Sequence, residues 1–135
     1  MRRLGTLLAV NGLWMVATPF HWYAHVPGVT ATGPANAHFI RDVGCAYLAA
    51  ALALLWFAVA PKRSWPAVLA GGAFLFLHAS IHVWDTLAGR EHPHRLLAEI
   101  PTVVLPALLT LWLGWPTNFV SRKELRNDSP ARKSG

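Results

Sequence analysis

"VGCAYLAAALALLWFAVA", residues 43–60, contains no charged side chain and is closed by Pro61. As a helix rising about 1.5 Å per residue it would reach most of the way across a hydrocarbon core of about 30 Å. It has no polar stripe, so it does not read as a surface helix of a soluble domain, which needs one wet face. This stretch sets the fold class: a helix made to sit in lipid.

Three further apolar segments flank it, at 4–20, 65–84 and 100–115. The first holds Asn11 as its only strongly polar interior residue, and the last carries Pro101 and Pro106, which membrane helices tolerate. The pattern predicts an all-α, four-helix transmembrane bundle over residues 1–118, with a cytoplasmic basic tail at 119–135. Met1-Arg2-Arg3 before an apolar run also raises a signal peptide. "WMVATPF" lacks a small-x-small cleavage site, however, so an uncleaved first span is the expectation.

Composition agrees. Of 135 residues 54% are hydrophobic and only 13% charged, where soluble domains carry about a quarter charged. Seven tryptophans suit bilayer interfaces. The net charge of +6 does not point to nucleic acid, because the basic residues form no stripe interleaved with aromatics. They sort by topology instead. With four spans, Arg2, Arg3, Lys62, Arg63, Arg122, Lys123, Arg126, Arg132 and Lys133 share one side, and only Arg41, Arg90 and Arg95 lie on the other. Lys and Arg accumulate in cytoplasmic loops. Both termini are therefore expected in the cytoplasm. The tail would be free to touch anionic lipid.

This orientation places all seven histidines toward the outer side. His21, His25 and His38 fall in a long first outer loop, "HWYAHVPGVTATGPANAH", whose Pro-Gly and Gly-Pro pairs mark turns and which is expected to cap the helix ends. His92 and His94 fall in the second outer loop, and His78 and His82 in the outer half of the third span. At about 100° per residue, His78, His82 and Asp85 share one face with Gly71 and Leu75. If the second helix begins a turn early, His38, Asp42 and Cys45 recur at i, i+4 and i+7, beside Arg41. Glu99 opens the fourth span at a similar level.

Ionisable residues inside a membrane are functional suspects and usually face the bundle interior. Paired His at i, i+4 with carboxylates from neighbouring helices is how helical bundles hold metals. The predicted site is therefore His78, His82, Asp85, His38, Asp42 and Glu99, binding a transition metal. Imidazole with carboxylate suits Zn, Fe or Cu(II), and the scarcity of Met and Cys disfavours soft Cu(I).

Other readings fit the same residues. His78 and His82 could only bridge helices by hydrogen bonds. Arg41 could form an ion pair with Asp42, Asp85 or Glu99. His92 and His94 could be simply solvated, His21 and His25 interfacial, Cys45 a small packing residue and Asn11 an interhelical hydrogen bond. Such a chain would be a structural or accessory subunit with a membrane-protein partner or as a homo-oligomer. Haem b held by His78 or His82 with His38 is a further candidate, although carboxylates do not improve an axial site and the chain is short for enclosing a macrocycle. A proton relay or pH response would use the same groups. One cysteine excludes an internal disulfide and CxxC chemistry. No nucleophile–His–acid arrangement is evident, because Ser80 projects away from the His78 face.

The layout resembles the DoxX-like superfamily of small four-helix bacterial membrane proteins. The likeness is carried by "HFIRDVGCAYLAAALALLWF", residues 38–57, where Arg and Gly open an alanine- and leucine-rich span, and by four spans with a long first outer loop. The resemblance implies an inner-membrane protein, with some relatives tied to quinone-linked sulfur redox chemistry. It does not extend to "HASIHVWD", residues 78–85.

Overall fold

The computed structural model describes residues 1–115, and these are entirely helical apart from their connections. α1 spans Arg2–Ala17, α2 Pro19–His25, α3 Ala37–Phe57, α4 Pro61–Leu87, α5 Pro93–Glu99 and α6 Leu105–Gly114, with a 3₁₀ turn at Val29–Thr32. A widened π-type turn, Ile100–Val104, joins α5 and α6 into one helical rod. The tail predicted at 119–135 lies outside the described residues.

Three helices are long and apolar enough to cross a membrane: Ala37–Phe57, Pro61–Leu87 and the rod Pro93–Gly114. The expected first span is shorter than its apolar run. α1 stops after 16 residues, and Thr18 leaves helical geometry at φ −137°, ψ 67°. Pro19 is the cause. A residue before proline is pushed out of the α region, and proline is well suited to the first position of a new helix. The same device starts α4 at Pro61 and α5 at Pro93. Pro61, read in the sequence as the stop of one span, is thus also the start of the next.

α3 begins at Ala37, six residues earlier than 43–60, because Asn36 caps it. The Asn36 carboxamide oxygen accepts from the backbone N–H groups of His38 and Phe39, both at 3.1 Å. Such a cap satisfies donors that a helix start leaves orphaned. The fourth segment likewise begins earlier than 100–115, at Pro93. Pro101 and Pro106 are absorbed in and just after the π-type turn, a usual place for a broken i→i−4 ladder.

The long helices pack antiparallel in succession: α1 on α3, α3 on α4, α4 on α6. Glycine sets the first contact. A Cβ on Gly12 would lie 2.8 Å from the Gly44 carbonyl oxygen, and one on Gly44 would lie 2.8 Å from Met15 Cβ. Small residues let helix backbones approach this closely, and they are enriched where helices pack in lipid. Gly71 meets Ala50 across α3 and α4, and Gly72 meets Thr110 across α4 and α6. Around these seams Leu8, Met15, Tyr47, Leu54, Val68, Leu75 and Ala107 form one buried cluster. The outward faces carry large apolar residues: Leu7, Val10 and Leu13 on α1, Leu52 and Trp56 on α3, Leu77 and Ile81 on α4, Leu108 and Trp112 on α6. Apolar residues on both the buried and the exposed faces suit a lipid surrounding.

Candidate functional site

The packing gathers the histidines at one end. α1 ends there, α2 and α3 begin there, α4 finishes there and α5 starts there. His78 and His82 lie in the second half of α4 with ring centres 4.9 Å apart and planes inclined by 71°. His78 is walled by aromatics: Phe74 stacks on it at 5.9 Å, and Tyr47 of α3 meets it edge-on at 5.7 Å. Tyr47 and Phe74 were not foreseen as site residues. Their spacing looks like ordinary core, and only the crossing of α3 and α4 brings them to His78.

Glu99 is the last residue of α5 and reaches back to α4. Its Oε2 accepts from His82 Nδ1 at 2.8 Å, with both side chains about a quarter exposed. A carboxylate can only accept, so His82 carries a proton on Nδ1; in the neutral ring that leaves the lone pair on Nε2. Glu99, expected as a ligand, is brought beside the two histidines and hydrogen-bonds His82.

Asp85 shares the α4 face of the histidines but is engaged just past the end of its own helix. Arg90 donates to Asp85 Oδ1 at 2.9 Å, while the Asp85 carbonyl oxygen accepts from the backbone N–H groups of Arg90 and Glu91. His38 and Asp42 pair with each other at 3.4 Å on the outer surface of α3, with side chains 89% and 62% exposed. Cys45, next on that stripe, is exposed as well. It is not the packing residue expected, because the packed face of α3 is the one bearing Gly44, Tyr47 and Ala51. The six predicted ligands are therefore divided among three places: His78, His82 and Glu99 together, Asp85 with Arg90, and His38 with Asp42. Among the described residues no group of three or more His, Cys, Asp or Glu side chains is placed to hold a metal ion.

Arg41 does not form the anticipated ion pair. Its Nε donates to the Val16 carbonyl oxygen at 3.2 Å, capping the end of α1, while Asp42, Asp85 and Glu99 are each engaged by another residue. Asn11 behaves as expected of an interhelical hydrogen bond. Its Oδ1 accepts from Trp22 Nε1 at 2.9 Å, fastening α2 to α1. His21 accepts from Trp14 Nε1 at 3.0 Å and stacks on His25. His92 and His94 are exposed and stack on each other.

The connection after α2 is held at this end by hydrogen bonds from Tyr23 and Arg95. Tyr23 donates its hydroxyl to the Gly33 carbonyl oxygen at 2.5 Å. Gly28, at φ 86°, turns its carbonyl to Arg95 of α5, and Arg95 also pairs with Glu91. Arg95 thus ties the loop to the start of the last rod, a link between residues 67 apart that no local pattern announces.

Compared with known proteins, the chain matches no family model, no curated protein and no solved structure.

Proposed function

We propose that the chain is a multi-span protein of a bacterial inner membrane, with α1 as a fourth, short span, both termini cytoplasmic and the histidine-bearing end outside. Its role is that of a structural or accessory subunit, whose polar residues lock the outer helix ends to a cap. The observation that carries the role is the pairing of the acids. All four carboxylates among the described residues have a partner within the chain: Asp42 with His38, Asp85 with Arg90, Glu91 with Arg95 and Glu99 with His82. Three of these link a helix to the next element or loop, and a network of that kind stabilises an end. A catalytic acid or base would instead be expected to face a substrate pocket.

The assignment to the DoxX-like superfamily belongs to this proposal and rests on residues 38–57 and the order of spans. The subunit role also draws on the large apolar surface, which lipid or a neighbouring membrane protein would cover. Its test is the size of the particle extracted from native membranes in mild detergent. The expected result is migration as a homo-oligomer or with a membrane partner. A chain that runs as a lone 14.8 kDa protein at every detergent strength would remove the subunit role.

A further inference from the structure

The chain carries three histidine pairs, and they differ in what their ring nitrogens can reach. His21 and His25 are nearly parallel, inclined by 22° with centres 4.0 Å apart, and His92 and His94 are inclined by 19° at 5.4 Å. Imidazole lone pairs lie in the ring plane, so stacked parallel rings do not direct two of them at one point. His21 is occupied in addition: its Nδ1 accepts the Trp14 indole N–H, which leaves its proton on Nε2. His92 and His94 are exposed on either side of Pro93.

His78 and His82 are different on each count. Their planes are inclined by 71°, and their centres lie 4.9 Å apart on successive turns of one helix. Two imidazoles sharing one ion at the usual metal–nitrogen distance of about 2.0–2.1 Å have ring centres about 5 Å apart. Among the described residues neither ring nitrogen of His78 is held by a hydrogen bond; its contacts are with rings. His82 donates its Nδ1 proton to Glu99, which in the neutral ring leaves Nε2 with the lone pair. A carboxylate on the far nitrogen is the usual support of a metal-bound histidine, because it fixes the tautomer and raises the basicity of the ligating nitrogen.

We infer that His78 and His82 chelate a divalent transition-metal ion, with Glu99 as the positioning carboxylate of His82 and not as a ligand. The inference goes beyond the accessory role and does not depend on it. With two protein ligands, the remaining coordination positions belong to water. Imidazole nitrogen favours the late first-row ions, Cu²⁺ most strongly.

The test uses the full chain, purified in detergent without a polyhistidine tag and titrated with Cu²⁺. The background variant His21→Ala/His25→Ala/His92→Ala/His94→Ala removes the competing pairs. It is expected to bind one equivalent with an electron paramagnetic resonance spectrum showing two equatorial imidazole nitrogens. Adding His78→Ala/His82→Ala is expected to abolish that spectrum. Glu99→Gln retains an oxygen that accepts the His82 Nδ1–H, so the fold is held, but it removes the charge; affinity is expected to fall about 10- to 100-fold. Failure of the background variant to bind overturns the site. So does an unchanged spectrum after loss of His78 and His82. Wild-type affinity in Glu99→Gln overturns the role of Glu99.

Discussion

His82 and Glu99 are 17 residues apart and joined at 2.8 Å, so the last rod is fastened to α4 by a hydrogen bond between side chains that are each only about a quarter exposed. In a partly desolvated place, removing one partner leaves the other's polar group unsatisfied, at a cost of about 1–3 kcal/mol. Glu99→Ala is therefore expected to lower the melting temperature in detergent more than Glu99→Gln does. A double-mutant cycle with His82→Ala should give a coupling of about 0.5–2 kcal/mol, the range found for polar pairs between membrane helices. Additive losses would mean that the pair contributes nothing as a pair.

The seam between α1 and α3 gives a sharper contrast, between neighbouring residues. A Cβ added at Gly44 would lie 2.8 Å from Met15 Cβ and 3.1 Å from the Gly12 carbonyl oxygen, and backbone cannot step aside as a side-chain tip can. Gly44→Ala should destabilise by about 1–3 kcal/mol through overpacking. Cys45→Ser, one position on but exposed, should change stability by no more than about 0.5 kcal/mol. Thermal unfolding of the two variants side by side checks both the seam and the outward direction of the Cys45 stripe.

That contrast also shows how much was legible beforehand. The helices at 43–60, 65–84 and 100–115 were readable because hydrophobic length survives any packing arrangement. The break at Thr18–Pro19 was not read, since hydropathy runs unbroken through a proline that ends one helix and starts another. For the site, helical spacing correctly put His78 and His82 side by side, but it says which residues share a face and not which way that face turns. His38, Asp42 and Cys45 do share a stripe, and it points outward. A stronger signal was present in the recurrence of Gly5 and Gly12 on α1 and of Gly44 and Ala51 on α3, which marks the surface where backbones meet. The Arg95–Gly28 link had no signal of any kind, being a product of loop path alone.

Arg95 joins the α2–α3 connection to α5 through the Gly28 carbonyl oxygen, while its pairing with Glu91 holds it in place. Arg95→Ala should release the loop without unfolding the long helices. Amide hydrogen exchange across residues 26–36 is expected to quicken at least about tenfold, a local opening made easier by about 1.4 kcal/mol. Exchange in α3 beyond its first turn should stay as it was. Equal acceleration throughout α3 would show that the loop and the helix open as one unit.

The orientation proposed for the membrane rests on charge that is sorted by end. Arg2 and Arg3 at the start of α1 lie beside the α3–α4 turn with Lys62 and Arg63, because Gly5 packs against Leu55. No carboxylate among the described residues lies at that end. At the other end three arginines meet four carboxylates, and each arginine is engaged: Arg41 by the Val16 carbonyl oxygen, Arg90 by Asp85, Arg95 by Glu91. The excess of positive charge thus belongs to the end that the positive-inside tendency keeps in the cytoplasm. In a Cys45→Ser background, Thr30→Cys and Ala88→Cys should react with a membrane-impermeant maleimide on intact cells. Val59→Cys, exposed beside the basic turn, should react only after permeabilisation. The reverse pattern would invert the protein and put the histidines inside. Labelling of both Thr30→Cys and Val59→Cys on intact cells would mean that α3, which lies between them, does not cross.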